Sequence, residues 1–230
     1  RPAQTAGPML LQRLRTAVIR LSECHCRHTV ARSIPGLVPI EPVALPDVTA
    51  FTSELQLNAE NRLATVLEFA SSVMTGISRT TIARRTESLR SGRARKLPST
   101  VERCACVLID EPTHAAARAL LVACQQEHGV RVFRPAVLRL VIEALEDVLR
   151  GNCATLAEAG AAARERTRHH PRPIPRRGIG STLLLKGLEC DHVVLLDADR
   201  LTSKDLYVAL SRAKRSVTVC SASLTIACDA

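Results

Sequence analysis

The sequence predicts an α/β fold in which a mostly parallel sheet with flanking helices follows a helical region. Short apolar runs alternate with helix-length segments beyond residue 101, which is the pattern of a parallel sheet covered by helices. The chain has 230 residues, of which 46% are hydrophobic, so it can build a sizeable core. The expected domains are a helical accessory region over 1–100 and an α/β lobe over 101–230.

Composition limits the classes of function. Aromatic residues make up only 2% of the chain, so stacking platforms for single-stranded bases are scarce. The formal charge of +10 favours polyanions, although solvated arginine-rich surfaces give the same value. Nine cysteines cannot all pair, and no signal-type apolar start is present, which predicts a reducing, cytoplasmic location. No apolar run approaches the roughly 20 residues that cross a bilayer.

The first hundred residues are predicted to be mostly helical. Apolar residues recur at helical spacing within 8–24, which indicates an amphipathic helix. Four prolines within 33–48 predict an extended linker. A second helix is expected over 49–75. The polar, arginine-rich stretch 78–97 predicts a short exposed helix followed by a loop.

Strands and helices are expected to alternate beyond residue 101. A compact apolar run at 104–110 precedes helices over 113–127, 135–149 and about 155–168, with a short strand at 130–133. A stiff basic connector over 169–178 then leads to two apolar runs, 182–185 and 193–196, which have the character of central strands in a covered parallel sheet. A helix over 201–215, capped by Thr202 or Ser203, and a strand over 216–221 complete the lobe.

Three charged residues surround these last elements. Functional groups of parallel sheets lie outside the carboxyl ends of strands, which is where Lys186 and Glu189 are expected. A lysine there can contact phosphate oxygens, and a glutamate can accept a hydrogen bond from a ribose hydroxyl. Arg212 lies off the apolar face of its helix, and its guanidinium has the fork geometry that grips phosphate.

Residues 181–221 resemble the C-terminal end of the UvrD-type superfamily 1 DNA helicases. The stretch STLLLKGLECDHVVLLD is similar to that family's Thr-Ile-His-x-x-Lys-Gly-Leu-Glu block and the strand after it. The stretch LYVALSRAKRSVTV is similar to its Tyr-Val-Ala-x-Thr-Arg-Ala block. The resemblance implies the second RecA-like lobe of a P-loop NTPase, which holds ATP with Mg against a first lobe and moves along single-stranded DNA.

The resemblance also implies a role for each matching residue on the nucleotide side. Arg212 would be the catalytic arginine finger that stabilises charge on the γ-phosphate. Glu189 would contact the ribose, and Lys186 would lie near the phosphates. Gly187 would allow close approach of the backbone, and Tyr207 would pack the final motif in place.

DNA contact is expected at two places. Ser181 and Thr182 belong to the block that couples ATP to DNA in the family, although the family's histidine is replaced here by Leu183. The basic connector supplies further candidates for phosphate contact, namely Arg172, Arg176 and Arg177.

The family's phosphate-binding loop is absent from these 230 residues, because no lysine follows the pattern G-x-x-x-x-G-K-[ST]. Asp110 and Glu111 superficially resemble the family's acidic magnesium-binding motif but are better interpreted as opening a helix at Pro112. The family's Asn-Tyr-Arg-Ser-like block is also absent, with Arg134 as a weak substitute. The first lobe is therefore expected in cis or in trans, and the chain, which starts at Arg1, could be a fragment or a natural product.

Two other hypotheses stay open. Cys24, Cys26 and His28 offer metal-ligating atoms, but a Cys-x-Cys pair clamps zinc poorly, even with Cys104 and Cys106 as partners, so no metal site is predicted. The alternative function is a non-catalytic DNA- or protein-binding module that retains the lobe as a scaffold. In that case the basic connector would supply the affinity.

Overall fold

The computed structural model describes residues 14–20, 24–42, 44–55, 57–169, 175–223 and 226. The chain divides into two compact units. The sheet unit takes its described residues from 1–41 and 172–230, and the helical unit takes them from 42–171. This division differs from the predicted boundary at residue 100. The reason is that strands near the start of the chain pair with strands near its end, so the helical unit is an insertion within the sheet unit.

Seven strands and nine α-helices are formed by the described residues. In chain order they are β1 (Leu14–Arg20), α1 (Cys24–Ser33), β2 (Val38–Pro39), α2 (Pro46–Glu54), α3 (Arg62–Val73), β3 (Met74–Thr75), α4 (Arg79–Arg90), α5 (Thr100–Asp110), α6 (His114–Gln126), β4 (Arg131–Val132), α7 (Pro135–Leu149), α8 (Leu156–His169), β5 (Arg177–Gly180), β6 (Cys190–Leu196), α9 (Ser203–Leu210) and β7 (Ala213–Val219).

The sheet unit is built on five parallel strands in the order β2-β5-β1-β6-β7. β1 is central, because Val18 is in register with Ile179 of β5 on one side and with Val194 of β6 on the other. α1 packs on β2 and β5, and α9 packs on β6 and β7. Right-handed crossovers in opposite directions place these two helices on opposite faces of the sheet. The prediction of an α/β fold with a parallel sheet and flanking helices is confirmed.

The strands of the sheet unit bury alternate residues on the face that α9 covers. Ala17 and Ile19 of β1 and Val193 and Leu195 of β6 are all buried, since residues two apart in a strand share a face. They form one apolar cluster with residues of the connections, namely Leu185, Ala198, Leu201 and Ala209. This cluster fixes the crossover segment 181–189 and α9 against the sheet.

The predicted helix over 8–24 is wrong where the structure describes it, because residues 14–20 form β1. The apolar positions in this stretch fit a helical stripe, but burial alternates with a period of two at Ala17 and Ile19. A short apolar run fits both periods. Hydrogen bonding to β5 and β6 on both sides decides for the strand.

The predicted strand over 182–185 is also wrong. The strand is β5, which ends at Gly180, and residues 182–187 form turns. Leu185 folds back on the strand: a Cβ at Gly180 would lie only 3.1 Å from the Leu185 Cγ, so the glycine makes room for this packing. Leu183 points away from the core and is 76% exposed.

The helical unit follows the sequence predictions more closely. α6, α7 and α8 lie within a residue or two of the expected helices, and β4 lies within the expected strand. The expected helix over 49–75 is divided into α2 and α3, and the apolar run 104–110 is the second half of α5 rather than a separate element. The predicted linker over 33–48 contains β2 and the start of α2. No helix among the described residues is long and apolar enough to cross a membrane.

α3 is central to the helical unit, where it packs against α4, α5, α6 and α7. Val66 on α3, Leu120 on α6 and Val141 on α7 are fully buried. α5 begins with a capping box, in which Ser99 Oγ accepts from the Glu102 amide at 3.2 Å and the Glu102 carboxylate accepts from the Ser99 amide at 3.1 Å. Arg85 of α4 donates to the same carboxylate, and this hydrogen bond lowers the pKa of Glu102.

Arg134 is the largest side chain that is fully buried in the helical unit, with 2% of the residue exposed. It immediately precedes α7 and donates to Asp47 in the first turn of α2 at 2.6 Å. A buried guanidinium requires such a partner, because the loss of hydration is otherwise uncompensated. The pair therefore ties the starts of α2 and α7 together.

Gly160 on α8 allows close contact between α8 and α2. A Cβ at this position would lie 2.8 Å from both Cβ and Cγ2 of the buried Thr52. We therefore expect Gly160→Ala to lower the free energy of unfolding by about 2 kcal/mol, since overpacking forces the two helices apart. The measurement is urea unfolding of the full chain. The double variant Gly160→Ala/Thr52→Ala should recover part of the lost unfolding free energy. An equal loss in the single variant Gly160→Ala and in the double variant would contradict the contact.

Asp47→Asn should lower the free energy of unfolding by about 2 kcal/mol, because it removes the negative charge of Asp47 from its short hydrogen bond with the buried Arg134 guanidinium. The matched control is Asp110→Asn, which breaks the exposed ion pair with Arg90. That pair lies in water, so its loss should change stability by about 0.5 kcal/mol or less. Equal changes in the free energy of unfolding in the two variants would contradict a stabilising contribution from the ion pair of the buried Arg134.

Candidate functional site

Glu189 and Arg212 lie at the same end of the sheet. β5, β6 and β7 are parallel and therefore all begin at one end, which we call the amino edge. Glu189 directly precedes β6, and Arg212 directly precedes β7. The amide of Cys190 donates to the Arg212 carbonyl at 3.0 Å, which joins the two strand starts. The structure thus brings these two predicted site residues to neighbouring strands.

The sequence prediction placed Lys186 and Glu189 at the opposite end, the carboxyl edge, where β5 and β6 end. For Glu189 this placement is wrong, because Glu189 directly precedes β6. Lys186 follows Leu185, which packs against Gly180 at the carboxyl end of β5. Residues 181–189 cross from β5 to β6 with β1 between them, and Glu189 therefore lies at the amino edge. The crossover contains turns instead of a helix, a feature that apolar periodicity did not reveal.

The Arg212 guanidinium is held at the C-terminal end of α9. Its Nε donates to the Val208 carbonyl at 3.1 Å, and its Nη2 donates to Ser211 Oγ at 2.9 Å. A positive charge is favourable at this end of a helix. Arginine has five N–H donors, so three of them make no hydrogen bond within the described part of the chain. The half-buried guanidinium is thus oriented by the protein and keeps donors for a ligand.

One more charge lies beside Glu189, and Lys186 precedes it in the crossover. The Glu189 carboxylate forms an ion pair with the Lys214 ammonium of β7. Lys186 is exposed, and its ammonium makes no ion pair with any described residue. Sequence reasoning missed Lys214, although its position two residues after Arg212 in an apolar strand was a signal that it lies at the strand start.

Gly187 has a conformational role. Its φ of +85° lies in the left-handed region, which side chains with a Cβ rarely adopt. A Cβ at this position would meet no protein atom within 4 Å. The glycine therefore completes the turn that leads from Lys186 to Glu189.

Tyr207 does not pack the final motif in place, which corrects the sequence prediction. It is 75% exposed, on the outer side of α9. The contact with the sheet is made instead by Ala209, which is fully buried, with Leu206 packed against the same cluster. Helical spacing alone placed Tyr207 beside the apolar face and did not fix how far that face extends.

Ser181 and Thr182 lie at the carboxyl edge, at the opposite end of the sheet from Glu189 and Arg212. Thr182 is buried, and its hydroxyl donates to Asp205 Oδ1 at 2.6 Å. Thr202, the cap of α9, donates to the other carboxylate oxygen at 2.7 Å. The hydroxyl of Thr182 is thus engaged within the protein, where it ties the crossover to the start of α9.

The hydrogen bond from Thr182, and then that from Thr202, lower the pKa of Asp205. A carboxylate with a lowered pKa stabilises the fold above its unfolded-state pKa of about 3.9. That contribution is lost as the pH falls through the lower pKa of the folded protein.

Arg176 and Arg177 lie at the amino edge and are both exposed, and Arg177 is the first residue of β5 rather than part of a connector. Arg172, the third candidate of the basic connector, lies outside the described residues. Sequence reasoning also missed Arg215, whose side chain lies beside Asp191 at the start of β6.

The remaining sequence hypotheses concern metals and substitute residues. Asp110 ends α5 and pairs with Arg90, and the next helix begins at His114 after the Thr113 cap, so the two acids do not open a helix at Pro112. The burial of Arg134 against Asp47 engages it within the helical unit. The described residues contain no group of three or more metal-ligating side chains. The side chains of Cys24 and Cys26 are outside what the structure describes, so zinc binding there stays a hypothesis.

No protein-family model, no curated protein and no solved structure gives a significant match to this chain.

Thr182→Val keeps the shape of the side chain and removes the hydroxyl. We expect the pKa of Asp205 to rise and the free energy of unfolding at neutral pH to fall by about 1 to 2 kcal/mol. The Asp205 carboxyl can be followed by NMR during a pH titration. Thr65→Val is the control, since its exposed hydroxyl donates only to the Asn61 carbonyl of its own helix. An unchanged pKa of Asp205 in Thr182→Val would contradict the assigned hydrogen bond.

Proposed function

We propose that this chain is the C-terminal lobe of a UvrD-like, ATP-dependent DNA helicase. The sheet unit would be a RecA-like lobe that completes the ATP site and couples hydrolysis to movement on single-stranded DNA. The five parallel strands with helices on both faces are compatible with such a lobe. The proposal keeps the cytoplasmic location that the cysteine content predicts.

One observation carries the proposal. Glu189 and Arg212, which the helicase resemblance assigns to ribose and γ-phosphate, are separated by 22 residues in sequence but begin adjacent strands at one edge. The Cys190 amide and the Arg212 carbonyl hold these strand starts together at 3.0 Å. Residues that act on one nucleotide must lie on one surface, and this pairing meets that requirement.

The chemistry of the amino edge suits a nucleotide. The three unengaged N–H groups of Arg212 can donate hydrogen bonds to the oxygens of a transferred phosphoryl group and so stabilise the negative charge that develops there. Lys186, whose side chain is exposed, would supply a second positive charge for phosphate oxygens. The Glu189 carboxylate is exposed and can accept from ribose hydroxyls while Lys214 limits its repulsion of phosphate.

A phosphate-binding loop and the main Mg ligands would have to come from a first lobe, in cis or in trans. A backbone cradle of that kind supplies most of the contacts to the β- and γ-phosphates. The chain alone should therefore bind nucleotide weakly and hydrolyse it negligibly. DNA-stimulated ATPase activity of the purified chain without a partner would overturn this part of the proposal.

Arg212→Ala should abolish the ATPase activity that a first lobe supplied in trans restores, with a loss of about 10³-fold or more. The fold should survive, because Arg212 is half-buried and bonds only to its own helix and Ser211. Arg200→Ala is the matched control, since it removes an exposed arginine at the carboxyl edge of the same unit. The measurement is phosphate release with and without single-stranded DNA, and equal activity of the two variants would contradict the role of Arg212.

A further inference from the structure

A second group of charged residues at the amino edge surrounds a cavity of about 380 Å³. The lining residues are Thr16, Arg176, Arg177, Asp191, His192 and Arg215. None of the residues to which the proposed function assigns an ATP contact is among them, and Arg176 and Arg177 are also the candidates for DNA contact in the basic connector. The volume lies within the range of small-molecule pockets, roughly 300–1,000 Å³.

Strand register forms the floor of this cavity. Arg177 of β5 is in register with Thr16 of β1, and Thr16 is in register with His192 of β6. Paired residues of neighbouring strands present their side chains on the same face. The Thr16 amide also donates to the Arg176 carbonyl at 3.1 Å, which places Arg176 at the edge of this row.

Arg215 also lines the cavity, next to a β-bulge. Between Cys190 and His192 the register with β7 shifts, because two steps along β6 correspond to three steps from Ala213 to Ser216. Arg215 directly precedes Ser216, the register partner of His192, and it lies 3.7 Å from the carboxylate of Asp191, which directly precedes His192. His192 is oriented by the contact of its Nδ1 with Ser216 Oγ at 2.7 Å, so its Nε2 is directed away from β7.

The charges of the cavity are unbalanced. Three arginines face one aspartate, which leaves a formal charge of +2 with the histidine neutral. Among the described residues, the guanidinium groups of Arg176 and Arg177 have no ion-pair partner. Like charges held together in this way repel one another, and an anion between them removes the repulsion. Guanidinium forks, a hydroxyl and an imidazole are donors that match phosphate oxygens.

We propose that this amino-edge cavity binds the phosphate group of a small anion, either free orthophosphate or a phosphorylated metabolite. No Phe, Tyr or Trp lines the cavity, and the donors of its arginines, threonine and histidine match the oxygens of the phosphate group itself. This inference does not rest on the proposed helicase function, since none of Lys186, Glu189 and Arg212 takes part in it.

The test is an NMR titration of the full chain with sodium orthophosphate at constant pH and constant ionic strength. The imidazole resonances of His192 report on the cavity directly. We expect saturable shifts at His192 in the wild-type chain. Arg177→Gln and Arg215→Gln should each weaken the apparent affinity about tenfold, through the loss of a charge-assisted hydrogen bond. Retained circular dichroism establishes that these exposed substitutions leave the fold intact.

Two control variants distinguish a specific phosphate site from nonspecific attraction by the positive charge of the chain. Arg200→Gln removes one positive charge at the opposite edge of the same unit and should change the affinity by less than about twofold. Arg212→Ala should also change the phosphate affinity by less than about twofold. Absence of phosphate binding at the cavity can therefore be distinguished from absence of an ATPase role for Arg212. Linear, non-saturating shifts, or an equal loss in Arg200→Gln, would overturn the proposal. Shifts at His192 with a dT oligonucleotide but not with orthophosphate would also overturn it.

Discussion

The position of β1 between β5 and β6 is the constraint on which the sheet unit depends. β5 and β6 are not paired with each other. Each of them forms the backbone hydrogen bonds along one of its two edges with β1. The strand that fills this place comes from residues 14–20, and its partners begin at residue 177. The whole helical unit therefore lies inside the loop that this pairing closes. The entropy of closing such a long loop rises only slowly with its length, so an insertion of this size is tolerated.

The central place of β1 also determines where the candidate site forms. Because β1 separates β5 from β6, residues 181–189 have to cross one strand and return to the amino edge before β6 can begin. Glu189 is consequently carried to the end of the sheet at which α9 delivers Arg212. The same parallel arrangement collects the starts of β5, β6 and β7, which explains why Arg176, Arg177 and Arg215 lie at that edge. Thr182, at the beginning of the crossover, stays at the carboxyl edge and anchors α9 through Asp205.

Sequence reasoning succeeded for elements whose signal is local. α7 has the expected bounds because Pro135 begins it, Gly151 follows its end, and its apolar face repeats at helical spacing. β6 and β7 were expected near their observed positions for similar reasons, whereas the helix expected over 201–215 ends at Leu210 and its last three residues belong to β7. The failures share another cause. Residues 14–20 fit two periodicities, residues 182–185 are apolar enough for a strand, and Tyr207 lies next to an apolar face. In each case a packing or pairing contact outside the local pattern decides the outcome: β5 and β6 for β1, Gly180 for Leu185, and the contact of Ala209 with the sheet cluster for the orientation of α9.

The sequence by itself determined the α/β class, most helices of the inserted unit, and the residue types Lys186, Glu189 and Arg212 at fixed spacing around a strand. Propensity, capping and periodicity act over a few residues, so they can be interpreted without knowledge of the fold. Only the tertiary structure decided that β1, the first described strand, pairs with strands from the end of the chain. It also decided at which edge the charged residues meet, and that Thr16, His192 and Arg215 share a cavity with Arg176 and Arg177. These features depend on strand order and register, which arise from hydrogen bonds between strands rather than within one segment.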